Sequence, residues 1–175
     1  MRIAMMGGIM RRTFFFLFFV GMIAGCVAAI GPVSSPEYSQ LVAKATPKQA
    51  GEMRYYGPGN WYPYIRGFAD IRSRRLADPI PGVLVITQTA ILFQQWDKPT
   101  QKFEIIKLLL FSHITEVSLD TYGLNRRLVL RKKDYSFDTF DFTKAKGNFV
   151  DGTKVEEAFH FLKDQIMTPS NAISF

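Results

Sequence analysis

The residue with the most specific chemistry is Cys26, the single cysteine of the chain. It closes an apolar run and follows Ile23 and two small residues, Ala24 and Gly25. A thiolate is a nucleophile and can be modified covalently. Because no second cysteine is present, an internal disulfide is excluded. The pattern therefore indicates covalent modification of Cys26.

The histidines and aspartates form no recognisable catalytic or metal-binding motif. His113 and His160 do not stand at metal-ligand spacing with each other or with cysteine. Asp138 and Asp141 flank Phe140 on one predicted strand, so their side chains should point to opposite faces as two separate, solvated charges. Nucleotide-binding glycine motifs and the Gly-x-Ser-x-Gly motif are absent. We therefore predict no catalytic residues, no metal and no cofactor.

The motif Ile23-Ala24-Gly25-Cys26 resembles the lipobox of bacterial lipoproteins. The resemblance implies a signal peptide over residues 1–25 and diacylglycerol on Cys26, with a third chain such as palmitate as an option. Such acylation would hold the chain stably at a cell membrane. The residue after the cysteine is Val27, and an aspartate there would favour the inner membrane. The expected location is therefore the outer membrane, facing the periplasm, in a source with two membranes.

The segment that precedes the motif has the composition of a signal peptide. It is basic and then apolar, with Arg2, Arg11 and Arg12 followed by residues 14–25. About a dozen apolar residues is the usual length of the hydrophobic part of a signal peptide. The alternative is an uncleaved anchor, because apolar residues continue to Ile30 and about 17 residues can just span a bilayer.

Charge and length limit the class of the remaining chain. The net charge of +7 falls to about +4 when the three arginines of residues 1–25 are removed, since 7 − 3 = 4. This balance permits attraction to anionic headgroups, but the basic residues are dispersed and no nucleic-acid motif is present. About 150 residues would remain, enough for one domain and a tether. We expect a tether over residues 26–50, with a short helix from about Pro36.

Residues 51–81 are rich in aromatic and arginine side chains and show no periodicity. The run 57–60 (Gly-Pro-Gly-Asn) breaks any regular pattern. We therefore predict an irregular segment that packs on the domain. The alternative is a membrane-interface or partner-binding patch, because Tyr, Trp and Arg are enriched at both. The residues concerned are Tyr55, Tyr56, Trp61, Tyr62, Tyr64, Arg66, Phe68, Arg72, Arg74 and Arg75.

From residue 82 onward the pattern predicts strands and then one helix, which together form a domain over residues 82–168. Apolar or alternating runs separated by turn residues predict strands at 82–87, 90–96, 103–110, 114–120, 126–132 and 136–142. Residues 149–150 are a candidate short strand. The run 103–110 is long and apolar, so we expect it to be a central strand.

The terminal helix begins near Asp151 or Thr153, and its apolar residues recur at three- and four-residue spacing: Val155, Ala158, Phe159, Leu162 and Ile166. The fold class is therefore α+β: a six- or seven-stranded antiparallel bent sheet or small barrel with one C-terminal amphipathic helix. Phe159 and Leu162 should be buried beneath that helix.

Residues 82–87 (Gly-Val-Leu-Val-Ile-Thr), followed by 91–93 (Ile-Leu-Phe) and 113–117 (His-Ile-Thr-Glu-Val), resemble GRAM and bacterial pleckstrin-homology-like (PH-like) domains. The likeness covers about residues 80–167, and a lipocalin-like or other small barrel is the competing fold. It implies a non-catalytic scaffold that binds lipids, peptides or proteins. Phosphoinositide-binding relatives carry basic residues in the first hairpin loop, where this resemblance places the uncharged Gln88 and Thr89.

A cluster of basic residues lies on one predicted strand and its ends: Arg126, Arg127, Arg131, Lys132 and Lys133. With Leu128 and Leu130 facing inward, Arg127 and Arg131 should project into solvent. Such charges either guard a sheet edge or form a patch for anionic headgroups or an acidic envelope protein.

The sequence therefore predicts a lipid-anchored envelope protein whose domain is a binding module. The alternative is a lipid carrier with an internal cavity. A core filled by side chains would favour the module, and the residues expected to fill it are Phe93, Leu108, Leu110, Leu128, Leu130 and Phe159.

Overall fold

The computed structural model describes residues 29–63, 78–122, 125–144 and 149–167. The proposed signal peptide, the lipobox and Cys26 lie outside these ranges. So do the arginines at positions 66, 72, 74 and 75. Within the described ranges, none of the helices has both the length and the apolar character needed to cross a membrane.

In the part of the chain that the structure describes, two α-helices flank seven β-strands. The helices are α1 (Tyr38–Ala45) and α2 (Gly152–Met167). The strands are β1 (Met53–Pro63), β2 (Ile80–Thr87), β3 (Ala90–Asp97), β4 (Lys102–Leu110), β5 (Ile114–Tyr122), β6 (Asn125–Lys132) and β7 (Phe137–Phe142). Short 3₁₀ turns cover Lys48–Ala50 and Phe111–His113.

The strands form one antiparallel sheet in the order β4-β3-β2-β1-β7-β6-β5. The sheet is strongly bent, as a contact between distant strands shows. The Lys107 ammonium on β4 lies 3.2 Å from the Asp138 carboxylate on β7, although three strands lie between β4 and β7 in the sheet. The predicted α+β class, an antiparallel bent sheet with one C-terminal helix, is confirmed.

The prediction of an irregular segment at residues 51–81 was wrong for its first part, because β1 is the middle strand of the sheet. Gly59, which looked like a breaker, is required by close approach: a Cβ there would lie 2.2 Å from the carbonyl oxygen of Asp141. Pro58 has no N–H to donate, and it is tolerated because its backbone points past the end of β7. Its carbonyl still accepts from the Thr143 N–H at 2.8 Å.

This assignment also moves the predicted domain boundary and the first hairpin. Residue 82 lies inside β2, and the sheet begins at Met53. The first hairpin is β1–β2, joined by residues 64–79, whereas Gln88 and Thr89 join β2 to β3. The placement of Gln88 and Thr89 in the first hairpin loop was therefore wrong, because they form the loop of the second hairpin.

The core lies on both faces of the sheet. On the inner face, α2 buries Val155, Ala158 and Leu162. They pack with strand residues that include Phe93, Leu128, Leu130, Phe140 and Phe142. Phe159 is only partly buried, so the expectation of full burial holds for Leu162 and not for Phe159. These side chains pack together in the described interior, where the sequence analysis expected Phe93, Leu128 and Leu130.

The outer face is covered by α1 and by the chain that leads into it. Tyr38 and Val42 of α1 are buried with Val83, Val85 and Leu92 of the sheet. The predicted tether is therefore not free along its length, since Ile30 is only 4% exposed and Val33 packs against the same cluster.

Strand β4 is an edge strand, and the prediction of a central strand was wrong. Its Leu108 and Leu110 are exposed rather than part of the core. An apolar composition is compatible with a buried strand but does not specify one, because the place of a strand in a sheet depends on which other strands pair with it.

Candidate anion-binding pocket

Three of the five basic residues in the predicted cluster meet at one end of the sheet. Arg131 and Lys132 end β6, and Lys133 begins the turn to β7. With Thr115, Glu116 and Tyr135 they line a surface pocket of about 340 Å³. The Lys133 N–H donates to the carbonyl oxygen of His113 at 3.0 Å and so ties this turn to the start of β5.

The turn from β6 to β7 holds an aromatic ring beside the cations. The Asp134 carboxylate accepts from the Ser136 N–H at 3.0 Å and from the Ser136 hydroxyl at 2.6 Å, and these bonds lower the pKa of Asp134. Tyr135 follows in a left-handed conformation, with φ of 62°. Its exposed ring lies 5.6 Å from the guanidinium of Arg131. A strained, exposed aromatic residue next to cations is typical of a recognition surface.

The three cations differ in how they are held. The Arg131 guanidinium lies 3.4 Å from the Glu116 carboxylate, and both side chains are largely exposed. The Lys132 ammonium lies 2.9 Å from the buried Asp138 carboxylate. Lys133 is exposed. Three cations and one acid line the pocket, so its lining carries a net positive charge of 3 − 1 = +2.

The Asp138 carboxylate holds the ammonium group of Lys132 in position. The sequence predicted a solvated charge, but Asp138 is only 2% exposed. It accepts from the Trp61 indole N–H at 2.8 Å and also contacts the Lys107 ammonium. Lys107 in turn lies 5.1 Å from the centre of the Trp61 ring. Two cations and an indole N–H thus compensate the buried carboxylate, which holds Lys132 in place.

Arg127 does not belong to the pocket, and the prediction that it projects into solvent was wrong. It is 8% exposed, and its guanidinium lies 4.3 Å from the centre of the Tyr62 ring. Its Nε lies 3.9 Å from the carboxylate of Asp141. Tyr62 comes from β1, the strand that sequence reasoning missed, so the burial of Arg127 could not be foreseen from β6 alone.

Asp141 is also buried, on the opposite face of β7 from Asp138. The Asn60 backbone and side-chain amides donate to it at 3.0 Å each, and the Tyr62 hydroxyl donates at 2.9 Å. Burial raises the pKa of Asp141, while these bonds and Arg127 oppose the rise. Burial and the Asp141 charge raise the pKa of Tyr62 to about 12. The two aspartates therefore have separate partners, as strand alternation predicts, but neither is solvated.

A second surface pocket, of about 300 Å³, lies at the start of β1 and was not predicted. Aromatic, basic and small residues line it: Tyr38, Arg54, Tyr55, Tyr56, Gly57, Pro58 and Lys154. The Lys154 ammonium donates to the Tyr56 carbonyl at 2.6 Å, and burial lowers the pKa of Lys154. The lining of this pocket holds two cations, Arg54 and Lys154, whereas three cations line the pocket at Arg131.

The histidines are not brought into a metal-binding arrangement. His113 ends a 3₁₀ turn, and the His160 ring meets that of Phe159 on α2 edge to face, with 5.3 Å between ring centres. Across residues 29–63, 78–122, 125–144 and 149–167, no three His, Cys, Asp or Glu side chains group as a metal site would require.

Neither a scan against protein-family models nor a search of curated proteins found a match. Among solved structures, the chain is similar to Vav1 bound by an allosteric inhibitor, with a TM-score of 0.48 and 10% identity over 89% of this chain. It spans 24% of that Vav1 chain. It is also similar to the hSac2 domain of the human phosphoinositide phosphatase Sac2, with a TM-score of 0.42 and 12% identity over 74% of this chain and 80% of that one. Both likenesses are too distant to carry an argument about ligand or activity.

Proposed function

We propose that this protein is a lipid-anchored, non-catalytic binding module of the bacterial cell envelope. Lipid on Cys26 holds it to a membrane, and its PH-like domain binds an anionic group in the pocket of Arg131, Lys132 and Lys133. The observation that carries the binding role is this pocket, in which three cations and a strained tyrosine surround a space of about 340 Å³. The motif Ile23-Ala24-Gly25-Cys26 supports the anchor.

The charge of the pocket adds support, because its lining holds three cations and one acid. Cations near a membrane surface attract anionic lipids by on the order of 1 kcal/mol each. An anionic headgroup is therefore the ligand we propose for the pocket.

The anchor is tested by the variant Cys26→Ser in the full chain. Wild-type cells grown with labelled fatty acid should yield a labelled, shortened protein, whereas the serine variant should be neither labelled nor cleaved at this site. A serine variant that is still shortened and still fractionates with membranes would overturn the lipid anchor. It would point to ordinary cleavage or to another anchor instead.

The pocket is tested separately with an unlipidated chain that begins at Ala29, because acyl chains would mask weak binding. This start keeps Ile30 and Val33, which pack on the sheet. Co-sedimentation with anionic vesicles should fall strongly in the double variant Arg131→Glu/Lys133→Glu and should weaken with added salt. Zwitterionic vesicles should bind neither protein.

A control variant changes the same amount of charge elsewhere. Lys144→Glu/Lys163→Glu alters two exposed lysines that lie outside the pocket. It should retain most of the binding if the pocket is the site. Equal losses of vesicle binding in both double variants would show that net charge alone explains the effect. That result would overturn the pocket as the binding site. Arg127 is unsuitable for this test, since a reversal at that buried residue would disrupt the fold.

A further inference from the structure

The edge strand β4 exposes an apolar stripe that the proposed pocket does not use. Its members are Ile105, Leu108 and Leu110, which are 37%, 48% and 41% exposed. We call these three residues the β4 stripe. Their cross-strand partners on β3 are Gln94, Leu92 and Ala90. Leu92 and Ala90 belong to the cluster beneath α1, so the stripe lies on the outer face of the sheet, on the same side as α1.

The N-terminal chain joins the domain on this same face. Ile30 is buried, and Gly31 is in the left-handed region with φ of 71°. A Cβ at Gly31 would lie 2.7 Å from the ring of Phe103, at the start of β4, and 3.2 Å from the ring of Trp96. The point where the chain leaves the described domain is therefore held at the head of β4.

We propose that the β4 stripe rests on the lipid surface to which Cys26 is anchored, which fixes the orientation of the domain on the membrane. This inference rests on the proposed lipid anchor. Gly31 lies five positions after Cys26, and an extended chain of that length spans at most about 18 Å. The strand from Phe103 to Leu110 is about 24 Å long at 3.4 Å per residue. The anchor thus keeps the head of β4 within about 18 Å of the lipidated residue, and the first member of the stripe, Ile105, lies two residues beyond Phe103.

The chemistry of β4 fits the membrane interface. Isoleucine and leucine side chains can enter the boundary between headgroups and acyl chains, and the exposed Lys98 and Lys102 near the start of the strand favour anionic lipids. The backbone groups along an edge strand need water or another partner, so only the side chains should enter the lipid.

A second copy of the chain paired edge to edge is the competing occupant. Strand β4 contains a bulge opposite Phe93 and Gln94 of β3. Phe93 pairs with Lys107 and Gln94 pairs with Ile105, so Ile106 is an extra residue without a partner in this ladder. Such a bulge twists an edge strand and interrupts its ladder, which disfavours pairing with another strand. A lipid surface can contact the side chains of the β4 stripe without a regular hydrogen-bond ladder. We therefore assign the lipid surface, and not a second copy of the chain, as the partner of the stripe.

The test uses the full-length, acylated protein in vesicles. Because Cys26 is the single native cysteine and would be acylated, Leu108→Cys can carry an environment-sensitive fluorophore. The control is Gln165→Cys, an exposed position on α2. Vesicles contain a quencher attached to the lipid. We expect blue-shifted emission and a loss of fluorescence by quenching at position 108, with neither change at position 165.

Equal quenching at positions 108 and 165, or none at either, would overturn the inference while labelled Cys26 keeps the anchor intact. An oxidised dimer of unlabelled Leu108→Cys, together with no quenching at position 108, would assign the stripe to a second copy and would also overturn it. Absence of fatty-acid label on Cys26 would overturn the lipid anchor and this inference together. The labelling result therefore distinguishes a failed anchor from a failed inference about the β4 stripe.

Discussion

Asn60 and Asp141 face each other across β1 and β7, and one carboxylate oxygen of Asp141 accepts from both the backbone and the side-chain amide of Asn60 at 3.0 Å. The Tyr62 hydroxyl binds the second oxygen at 2.9 Å. Because burial raises the pKa of Asp141, its ionised form costs folding free energy that these donors and Arg127 offset. A polar network thus joins the middle strand of the sheet to the strand beside it.

Tyr62→Phe tests this network through pH. Because the pKa of Tyr62 is raised to about 12 in the folded chain from 10, its contribution is complete below about pH 10. It is lost as the pH rises from there through about 12. At pH 7 the variant should be less stable than wild type by about 1.5–3 kcal/mol, the usual loss for a hydrogen bond to a charged group.

The difference between the two proteins should shrink above about pH 10. Denaturant unfolding of the chain that begins at Ala29, at a series of pH values, gives both curves. A difference that stays constant from pH 7 to pH 12 would contradict the assigned role of the Tyr62 hydroxyl.

Asp138→Asn should destabilise the fold by about 3 kcal/mol or more, because it leaves two partly buried ammonium groups, Lys107 and Lys132, without their common carboxylate. The matched control is Asp164→Asn on α2, an exposed acid that should change the free energy of unfolding very little. Denaturant unfolding at neutral pH compares them. Equal effects of the two variants would show that Asp138 does not hold the strands together.

Gly59→Ala tests the close approach of β1 to β7. A methyl group at position 59 meets the Asp141 carbonyl at 2.2 Å, so β7 must shift. The cost should be about 3 kcal/mol or more, at the upper end for overpacking. Gly152→Ala is the control, since nothing lies within 4 Å of a Cβ there. That change should be neutral or should stabilise by up to about 1 kcal/mol. Thermal unfolding separates the two, and a tolerated alanine at position 59 would refute the strand pairing.

Leu162→Ala should cost about 3 kcal/mol, because the side chain is fully buried between α2 and the sheet. Phe159→Ala should cost less, about 1–2 kcal/mol, since the ring is only partly buried. Sequence reasoning alone favours the reverse order, because phenylalanine is the larger side chain. The two unfolding free energies, measured under one set of conditions, decide between the orders.

Glu116→Gln should strengthen binding to anionic vesicles. The Glu116 carboxylate lies 3.4 Å from the Arg131 guanidinium and offsets part of the positive charge of the pocket. Removal of the acid frees Arg131 for a ligand, whereas Glu157→Gln on α2 makes the same charge change outside the pocket. Co-sedimentation at low salt should show a larger gain for position 116. No difference between the two variants would count against the pocket as the binding site.

Local patterns in the sequence were sufficient for most of the individual elements. Alternation placed Leu128 and Leu130 on the inner face of β6, and helical spacing placed Val155, Ala158 and Leu162 toward the sheet. Both inferences concern side chains within one element, where the backbone period alone decides which residues share a face. The lipobox prediction at Cys26 stays a prediction, since it lies outside the described residues.

The tertiary structure decided which elements are neighbours, and that changed the interpretation of particular residues. Gly59 belongs in a strand because β7 passes too close for any side chain. Leu108 is exposed because no strand in the described sheet pairs beyond β4. Arg127 is buried because Tyr62 and Asp141 come from other strands to meet it. Periodicity along one segment carries no record of such contacts between distant segments, whereas burial and ionic pairing depend on them.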